Sequence, residues 1–176
     1  MVLTRRLSRL SCVLLTGIAA GSCGCGTQRR PPLPLSRWLS SDAGRRTVTI
    51  TVIPADNPAY NGFNFNGYGK GQVDIVVPVG WRVTIRCLNT GLGGRHSCAL
   101  VSGADASRPA LAGASSPDPD RGLAHGRSAS FSFTAPKPRA FRIASLVPGE
   151  ERAGMWDVLE IKGRRRPTAI LLRRTR

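Results

Sequence analysis

Few side chains in this sequence could hold a metal ion or take part in a reaction. His96 offers an imidazole nitrogen and Met155 a thioether sulfur, whereas Ser145 and Glu150, ten and five residues before Met155, offer only oxygen. Copper electron-transfer sites use a soft thiolate, imidazole nitrogens and a weak axial thioether, and carboxylate oxygen prefers harder cations. These residues therefore suit at most a loose Cu(II) site, which lacks the strong covalent bond and the electron route of a thiolate.

The sequence contains no arrangement that is typical of an enzyme. There is no serine, histidine and carboxylate set at a recognisable spacing, no glycine-rich phosphate loop and no His-x-x-x-His metal pair. We therefore expect that the protein is not an enzyme, and no small-molecule substrate is evident.

The five cysteines fall into two groups. Three of them lie in the N-terminal segment, while Cys87 and Cys98 lie on consecutive predicted strands that flank a hairpin-like loop. Outside the cytoplasm this pair could form a disulfide bond, and two small buried thiols in the core are an equally compatible alternative. A third interpretation makes Cys98 a substitute thiolate ligand, but its position inside a strand after His96 argues against it.

The N-terminal segment predicts export. Three arginines in the first nine residues precede a short apolar run over residues 12–20, as in a secretory signal, and this run is shorter than the roughly 20 residues that span a bilayer. Residues 20–23, with the sequence AGSC, resemble a bacterial lipobox. Residues 1–23 are therefore interpreted as a signal peptide, with Cys23 as the lipidation candidate. A plain cleaved signal and an uncleaved anchor are the alternatives.

The elements that must position the candidate residues are predicted to be strands. Residues 24–45 are rich in Gly, Pro, Ser and Arg and are interpreted as a linker. From Thr47 onwards apolar and polar residues alternate with a period of two, and turn residues separate the strand candidates, as in a β-sandwich. The candidates are residues 47–52, 72–77, 81–88, 97–101, 129–134, 139–144 and 155–161. A Gly-, Ala-, Ser- and Pro-rich loop over residues 102–128, which contains His125, is expected to be mobile coil.

Ordered motifs give the chain a resemblance to a known family. Residues 63–72 read FNFNGYGKGQ and residues 77–81 read VPVGW, while VPG at 147–149 and AGMW at 153–156 follow near the C-terminus. In this order and spacing the chain resembles the sulfocyanin family of blue-copper proteins, or cupredoxins. In that family a Phe-Asn-Gly segment precedes a strand that ends in Val-Pro-x-Gly-Trp, and the last motif reads Cys-Gly-x-Pro-Gly-His-x-x-x-Gly-Met-Trp.

The resemblance implies a fold and a set of ligand positions. The fold is an all-β, cupredoxin-like Greek-key β-sandwich of about seven strands over residues 46–163. The family's copper ligands are retained only at His96 and Met155, because Ser145 replaces its cysteine and Glu150 replaces its second histidine. The resemblance therefore implies a degenerate site at one end of the sandwich. We expect no cofactor there, or copper held weakly by His96, Met155 and Glu150.

The positive charge of the chain indicates an anionic partner. Lysine and arginine number 26 against 10 aspartate and glutamate, which gives a formal net charge of +16, and residues 164–176 form a basic tail. An acidic envelope protein or an anionic membrane surface suits an exported protein, and a merely solvated tail is the alternative. Nucleic acid is not expected, because no basic motif interleaved with aromatic residues occurs.

These observations together predict the function. We predict an exported cell-envelope protein, anchored to the membrane through its N-terminus, that has lost the cysteine and second histidine of a blue-copper site. Such a protein would serve as a binding or interaction module. A copper-binding electron-transfer protein is the alternative.

Overall fold

The structure, a computed structural model, describes residues 32–163 and 166–172. The predicted signal peptide and Cys23 lie outside these residues, as do the first part of the predicted linker and much of the predicted basic tail. None of the helices in the described ranges has the length and apolar character needed to cross a membrane.

Two β-sheets face each other around one hydrophobic core. The described residues form nine strands: β1 (Leu39–Asp42), β2 (Thr47–Val52), β3 (Val73–Val77), β4 (Arg82–Leu88), β5 (Ala99–Val101), β6 (Ser128–Thr134), β7 (Arg139–Ala144), β8 (Trp156–Ile161) and β9 (Thr168–Leu171). Two 3₁₀ turns, Leu35–Arg37 and Ala59–Gly62, and one short helix, α1 (Glu150–Ala153), complete the fold. The first sheet has the order β1-β2-β4-β6 and the second the order β5-β7-β8-β3-β9. The two facing sheets form the predicted all-β sandwich, with nine strands in the described residues instead of about seven.

The alternation of side chains along the strands explains why the sheets pack together. In β4 the side chains of Val83, Ile85 and Cys87 are fully buried, whereas Arg82 and Arg86 are exposed. Successive residues of a strand point to opposite faces of its sheet, so a period-two pattern buries one face only. The same alternation in β2 and β8 supplies the facing halves of the core.

The chain also forms strands in two regions where none was predicted. Part of the predicted linker forms β1, which pairs antiparallel with β2, and Trp38 beside it is only 1% exposed. Part of the predicted basic tail forms β9, which pairs antiparallel with β3. The prediction of linker and tail was wrong for these residues. The residues that flank these strands are polar or basic, but each segment satisfies its backbone by adding an edge strand to a sheet.

The long loop over residues 102–128 folds back onto the second sheet. Ala110 N–H donates to the carbonyl of Leu100 at 2.7 Å, and Ser116 N–H donates to the carbonyl of Cys98 at 2.8 Å. Ala114 is fully buried in the core. The expected structureless coil is therefore replaced by a loop with its own core contacts, and only its last residue, Ser128, belongs to a strand.

Cys87 and Cys98 are joined by a disulfide bond in the structure. Cys87 lies on β4 of the first sheet and Cys98 directly precedes β5 of the second, so the bond connects the two sheets. Both residues are fully buried. With its sulfur bonded to Cys87, Cys98 does not offer a thiolate to a metal.

Candidate functional site

The four candidate positions come from two separate parts of the chain that meet at one end of the sandwich. His96 precedes β5, and its backbone is held by paired hydrogen bonds with Leu123 of the long loop, at 3.2 and 2.8 Å. Ser145, Glu150 and Met155 lie on the connection between β7 and β8, which we call the closing loop (residues 145–155). This connection is the one in which the sequence motifs place the family's ligands.

The closing loop contains two glycines with positive φ, Gly149 and Gly154, and is closed by backbone hydrogen bonds. Gly149, which precedes α1, has φ of 86°, a left-handed conformation that glycine adopts without steric cost. The loop then returns on itself, because Ser145 N–H donates to the carbonyl of Met155 at 3.1 Å. Met155 N–H in turn donates to the carbonyl of Glu150 at 3.0 Å. These contacts hold Glu150 beside Ser145, under the loop that carries His96.

Glu150 joins the two parts of the site through both oxygens of its carboxylate. Its Oε1 lies 2.8 Å from Nδ1 of His96, and its Oε2 accepts a hydrogen bond of 2.6 Å from Oγ of Ser145. All three residues are buried, with exposures of 7% for Glu150, 8% for His96 and 1% for Ser145. We call these residues the His–Glu–Ser network.

The second ring nitrogen of His96 is also engaged. Nε2 lies 2.8 Å from the carbonyl oxygen of Gly93, which can only accept a hydrogen bond. Both ring nitrogens therefore face acceptors, and the fully protonated imidazolium is the form that satisfies both. Burial alone would lower the pKa of His96, but the hydrogen bond to Glu150, its negative charge and the hydrogen bond to Gly93 together raise this pKa above its ordinary value.

Ser145 is held by a second hydroxyl. Ser97 N–H lies 3.2 Å from Oγ of Ser145, the two hydroxyl oxygens are also 3.2 Å apart, and Leu146 N–H donates to Oγ of Ser97 at 2.8 Å. Although a serine, a histidine and a carboxylate meet here, the carboxylate lies between the other two. His96 therefore cannot take a proton directly from Ser145, and the arrangement is not that of a serine nucleophile activated by a histidine.

Met155 joins the site through its backbone, and its side chain packs in the core. The residue is fully buried and belongs to the same hydrophobic cluster as Trp81 and Leu159. The structure thus brings His96, Glu150 and Ser145 together by side-chain contacts, and Met155 by the backbone hydrogen bonds of the closing loop. His125, the other histidine, is exposed and lies outside this network.

These side chains do not fit a blue-copper centre. Such a centre needs deprotonated ligands, namely a thiolate and neutral imidazole nitrogens with free lone pairs. Both nitrogens of His96 are hydrogen-bonded to acceptors, and the hydroxyl of Ser145 is donated to Glu150. Over residues 32–163 and 166–172, no group of three or more His, Cys, Asp or Glu side chains is placed to hold a metal ion.

Sequence reasoning proposed these residues as candidate ligand positions but missed the hydrogen-bond network that connects them. It treated Glu150 as a weak metal ligand and Ser145 as a lost one, whereas the structure connects them to each other and to His96. The sequence did contain a signal for this network, namely a serine at 145 together with a glutamate at 150. A hydroxyl and a carboxylate can hydrogen-bond to each other, and the carboxylate can also bind a histidine. The neighbouring ion pair was also missed: Glu151 binds Arg142 at 2.8 Å, and this guanidinium stacks 3.8 Å from the ring of Trp156.

Comparison with known proteins agrees with the resemblance of the motifs. The family model described as the sulfocyanin (SoxE) domain matches residues 35–118, which include β1 to β5 and His96 and end before the closing loop. No curated protein matches the chain.

Solved structures that are similar to this chain include two auracyanins and rusticyanin. Auracyanin from Roseiflexus castenholzii is 20% identical, with a TM-score of 0.49, and the match covers 65% of this chain and 97% of that one. Auracyanin A, a blue copper protein from Chloroflexus aurantiacus, is 24% identical, with a TM-score of 0.45 and coverages of 66% and 99%. Rusticyanin from Thiobacillus ferrooxidans is 19% identical, with a TM-score of 0.47 and coverages of 72% and 88%.

Proposed function

We propose that this sulfocyanin-like cupredoxin is an exported cell-envelope protein that works without copper, as a binding module. The observation that carries the proposal is the engagement of both ring nitrogens of His96, by the carboxylate of Glu150 and the carbonyl of Gly93. A histidine in this state has no lone pair to give to a metal. Copper would have to displace the proton and break a buried ion pair before it could bind.

The alternative function, electron transfer through bound copper, has one observation in its favour. The sulfocyanin match includes His96, but it ends at residue 118 and so leaves Ser145, Glu150 and Met155 outside. At those positions an oxygen of Glu150 faces an oxygen of Ser145 at 2.6 Å. A blue-copper electron-transfer site uses a cysteine thiolate as a ligand, and a disulfide occupies the two cysteines of the domain.

Two features support a binding role in the cell envelope. A buried disulfide between the sheets is typical of oxidising compartments outside the cytoplasm. The net charge of +16 favours encounters with anionic surfaces, either an acidic envelope protein or anionic lipid headgroups. Without metal or catalytic chemistry, the rigid sandwich and its charged surface are what the protein offers to a partner.

Copper titration of the purified protein tests this proposal. We expect the wild-type protein to bind Cu(I) and Cu(II) no more tightly than about 1 µM. We also expect no intense absorption near about 600 nm, because that band requires a thiolate bound to Cu(II). The double variant Ser145→Cys with Glu150→His restores both missing ligands, and frees Nδ1 of His96 from the carboxylate, so it should turn blue on addition of Cu(II).

The single variants are the matched controls for this experiment. Ser145→Cys alone keeps Glu150 against His96, and Glu150→His alone supplies no thiolate, so each should give at most a weak or distorted centre. A wild-type protein that binds copper tightly and turns blue would refute the proposal.

A further inference from the structure

The exposed apolar side chains of the protein are concentrated on its last strand. Within the described ranges, large hydrophobic residues that remain exposed are few, and three of the five are consecutive: Ile170, Leu171 and Leu172, with exposures of 48%, 49% and 39%. Single exposed hydrophobic residues are common on soluble proteins, whereas adjacent ones mark an interaction site more often. Successive residues of a strand point to opposite faces, so Ile170 and Leu172 lie on one side of this sheet edge and Leu171 lies on the other. The remaining two, Val79 and Leu92, lie in separate turns.

The position of β9 in the sheet leaves this group open. Among the described strands, β9 is the edge of the second sheet and pairs with β3 alone, and Leu172 N–H extends this pairing to the carbonyl of Gln72 at 2.8 Å. Ala169 packs against the core, which fixes the strand on the domain. The apolar side chains that follow it are therefore held in place and do not belong to a loose tail.

The N-terminal segment joins the domain beside the same strand. The 3₁₀ turn Leu35–Arg37, near the start of the described chain, contacts β9, and Leu33 N–H is bound to the carbonyl of Asn66 at 2.8 Å. Residues 1–31, which carry the predicted export signal, precede this point. A tether to the membrane through that segment would bring β9 to the membrane side of the domain.

The charges around β9 in the sequence have one sign. Seven basic residues lie within six positions of the strand, and no acidic residue occurs from Lys162 to the end of the chain. The basic residues are Lys162, Arg164, Arg165, Arg166, Arg173, Arg174 and Arg176. On the neighbouring strands Glu160 is paired with Lys162, and Asp74, which is opposite Ile170, is only 5% exposed. The local charge therefore complements an anionic surface.

We propose that the apolar group Ile170–Leu172 and the basic residues that flank it dock the domain on anionic phospholipid headgroups. The apolar side chains would enter the interface between headgroups and acyl chains, while the arginines bind the phosphates. The inference rests on the envelope location in the proposed function and names the partner: a lipid surface rather than a protein.

Hydrogen–deuterium exchange of the full chain tests this surface, whether or not its N-terminus is lipidated. Backbone amides of residues 166–172 should exchange several-fold more slowly with vesicles of phosphatidylcholine and phosphatidylglycerol than with vesicles of phosphatidylcholine alone. Amides of residues 88–94, at the turn that carries Leu92, should not change. The protection should disappear at high salt, because exposed charges are screened.

Two double variants and their matched controls separate the contributions. Ile170→Ser with Leu172→Ser, and Arg173→Glu with Arg174→Glu, should each abolish most of the protection, by about tenfold or more given the usual value of apolar burial and of a basic residue at an anionic surface. The controls are Leu92→Ser, at the most exposed apolar residue (61%), and Arg82→Glu with Arg86→Glu on the first sheet. These controls should leave the protection unchanged.

Each outcome decides between this inference and its alternatives. Equal protection by both kinds of vesicle, no protection by either, or a loss caused only by the controls would overturn lipid docking at β9. Protection that appears only when envelope proteins are added would point to a protein partner and would also overturn it. The copper titration is independent of vesicles, so failure of the docking surface and failure of the copper-free assignment are distinguishable.

Discussion

Glu150 takes over a connection that a metal ion would otherwise make. A metal bound by His96 and by the closing loop would hold these two segments together, because each ligand bond fixes one segment. In this protein the carboxylate of Glu150 binds His96 with one oxygen and Ser145 with the other. Ser145 and Glu150 are therefore complementary to each other, and with His96 they connect the two segments by hydrogen bonds alone.

The first prediction concerns the buried ion pair of Glu150. Glu150→Gln removes the negative charge that faces His96 at 2.8 Å, and breaking a buried pair leaves the partner uncompensated. We expect the free energy of unfolding at pH 7 to fall by about 3 kcal/mol, measured by urea denaturation. Glu160→Gln is the matched control, because Glu160 pairs with the exposed Lys162. It should cost less than about 1 kcal/mol.

A double-mutant cycle with His96→Gln separates the pair from the individual residues. If Glu150 and His96 stabilise the protein through each other, the two single losses should not add, and the coupling should exceed about 1 kcal/mol. Additive losses would contradict the view that this pair closes the site.

The second prediction concerns a carboxyl group inside the core. Asp157 on β8 is fully buried, and its Oδ1 accepts a hydrogen bond from Val73 N–H at 3.0 Å, while its Oδ2 has no hydrogen-bond partner among the described residues. Burial raises the pKa of Asp157 to about 8, although hydrogen bonds from the backbone of Val73 and Gln72 oppose the rise.

This pKa makes stability depend on pH. Between its ordinary pKa and about 8, the folded protein holds a proton that the unfolded chain has released, so the stability contributed by this group falls as the pH rises through that range. Asp157→Asn keeps an acceptor for Val73 and cannot ionise. It should flatten the pH dependence and raise the free energy of unfolding at pH 8 by on the order of 2 kcal/mol.

Urea denaturation at several pH values between about 5 and 9 measures this effect. Asp120→Asn, at an exposed position in the long loop, is the control and should leave the profile unchanged. A wild-type stability that rises steadily over this range would contradict the assignment of a protonated Asp157.

Among the strands, sequence patterning predicts those that carry their own alternation. Candidates such as residues 81–88 and 139–144 coincide with β4 and β7 to within a residue, because half-buried strands show their buried face in the sequence. Sequence patterning did not predict β1 and β9, because these edge strands bury few side chains and so show no buried face in the sequence. Polar or basic neighbours also dominate the composition around these strands. Their existence depends on a partner strand that is distant in sequence, as with β9 and β3.

The third prediction concerns the bond between the two sheets. Cys87 and Cys98 are 11 residues apart, and a cross-link of this span restricts the unfolded chain. Replacing both with alanine should lower the free energy of unfolding by about 3 kcal/mol, measured by denaturation of oxidised wild-type protein and of the variant. The chemical test is thiol labelling in denaturant without reductant. Labelling of Cys87 or Cys98 in the wild-type protein would show that the bond is absent.

The site was only partly predictable from the sequence, because motifs show which segments meet but not how their side chains are arranged. The motifs predicted that His96 and the closing loop lie near each other, and the structure brings these two segments together, because strand order places both at one end of the sandwich. They could not show that Glu150 turns towards both His96 and Ser145, because this depends on side-chain packing in a closed space. The buried carboxyl group of Asp157 was also missed, because one polar residue does not hide the period-two alternation of β8.

The last prediction tests whether the molecule as a whole responds to copper. A ligand that binds only the folded state raises the free energy of unfolding, by about 2.7 kcal/mol when its concentration is 100 times Kd. For a domain of this size such a gain would raise Tm by several degrees. Because His96 is held by Glu150 and Gly93, and Ser145 by Glu150, we expect the Tm of the wild-type protein to be the same with Cu(I), with Cu(II) and with a chelator.

The double variant Ser145→Cys with Glu150→His provides the positive control for the same measurement. Without copper it lacks the ion pair and should melt below the wild-type protein, since His96 loses its buried counter-charge. With copper it should recover several degrees, because the metal then joins His96 to the closing loop as the carboxylate did. A wild-type Tm that rises with copper, or a double variant that stays insensitive to it, would mean that the His–Glu–Ser network does not stand in the place of the metal.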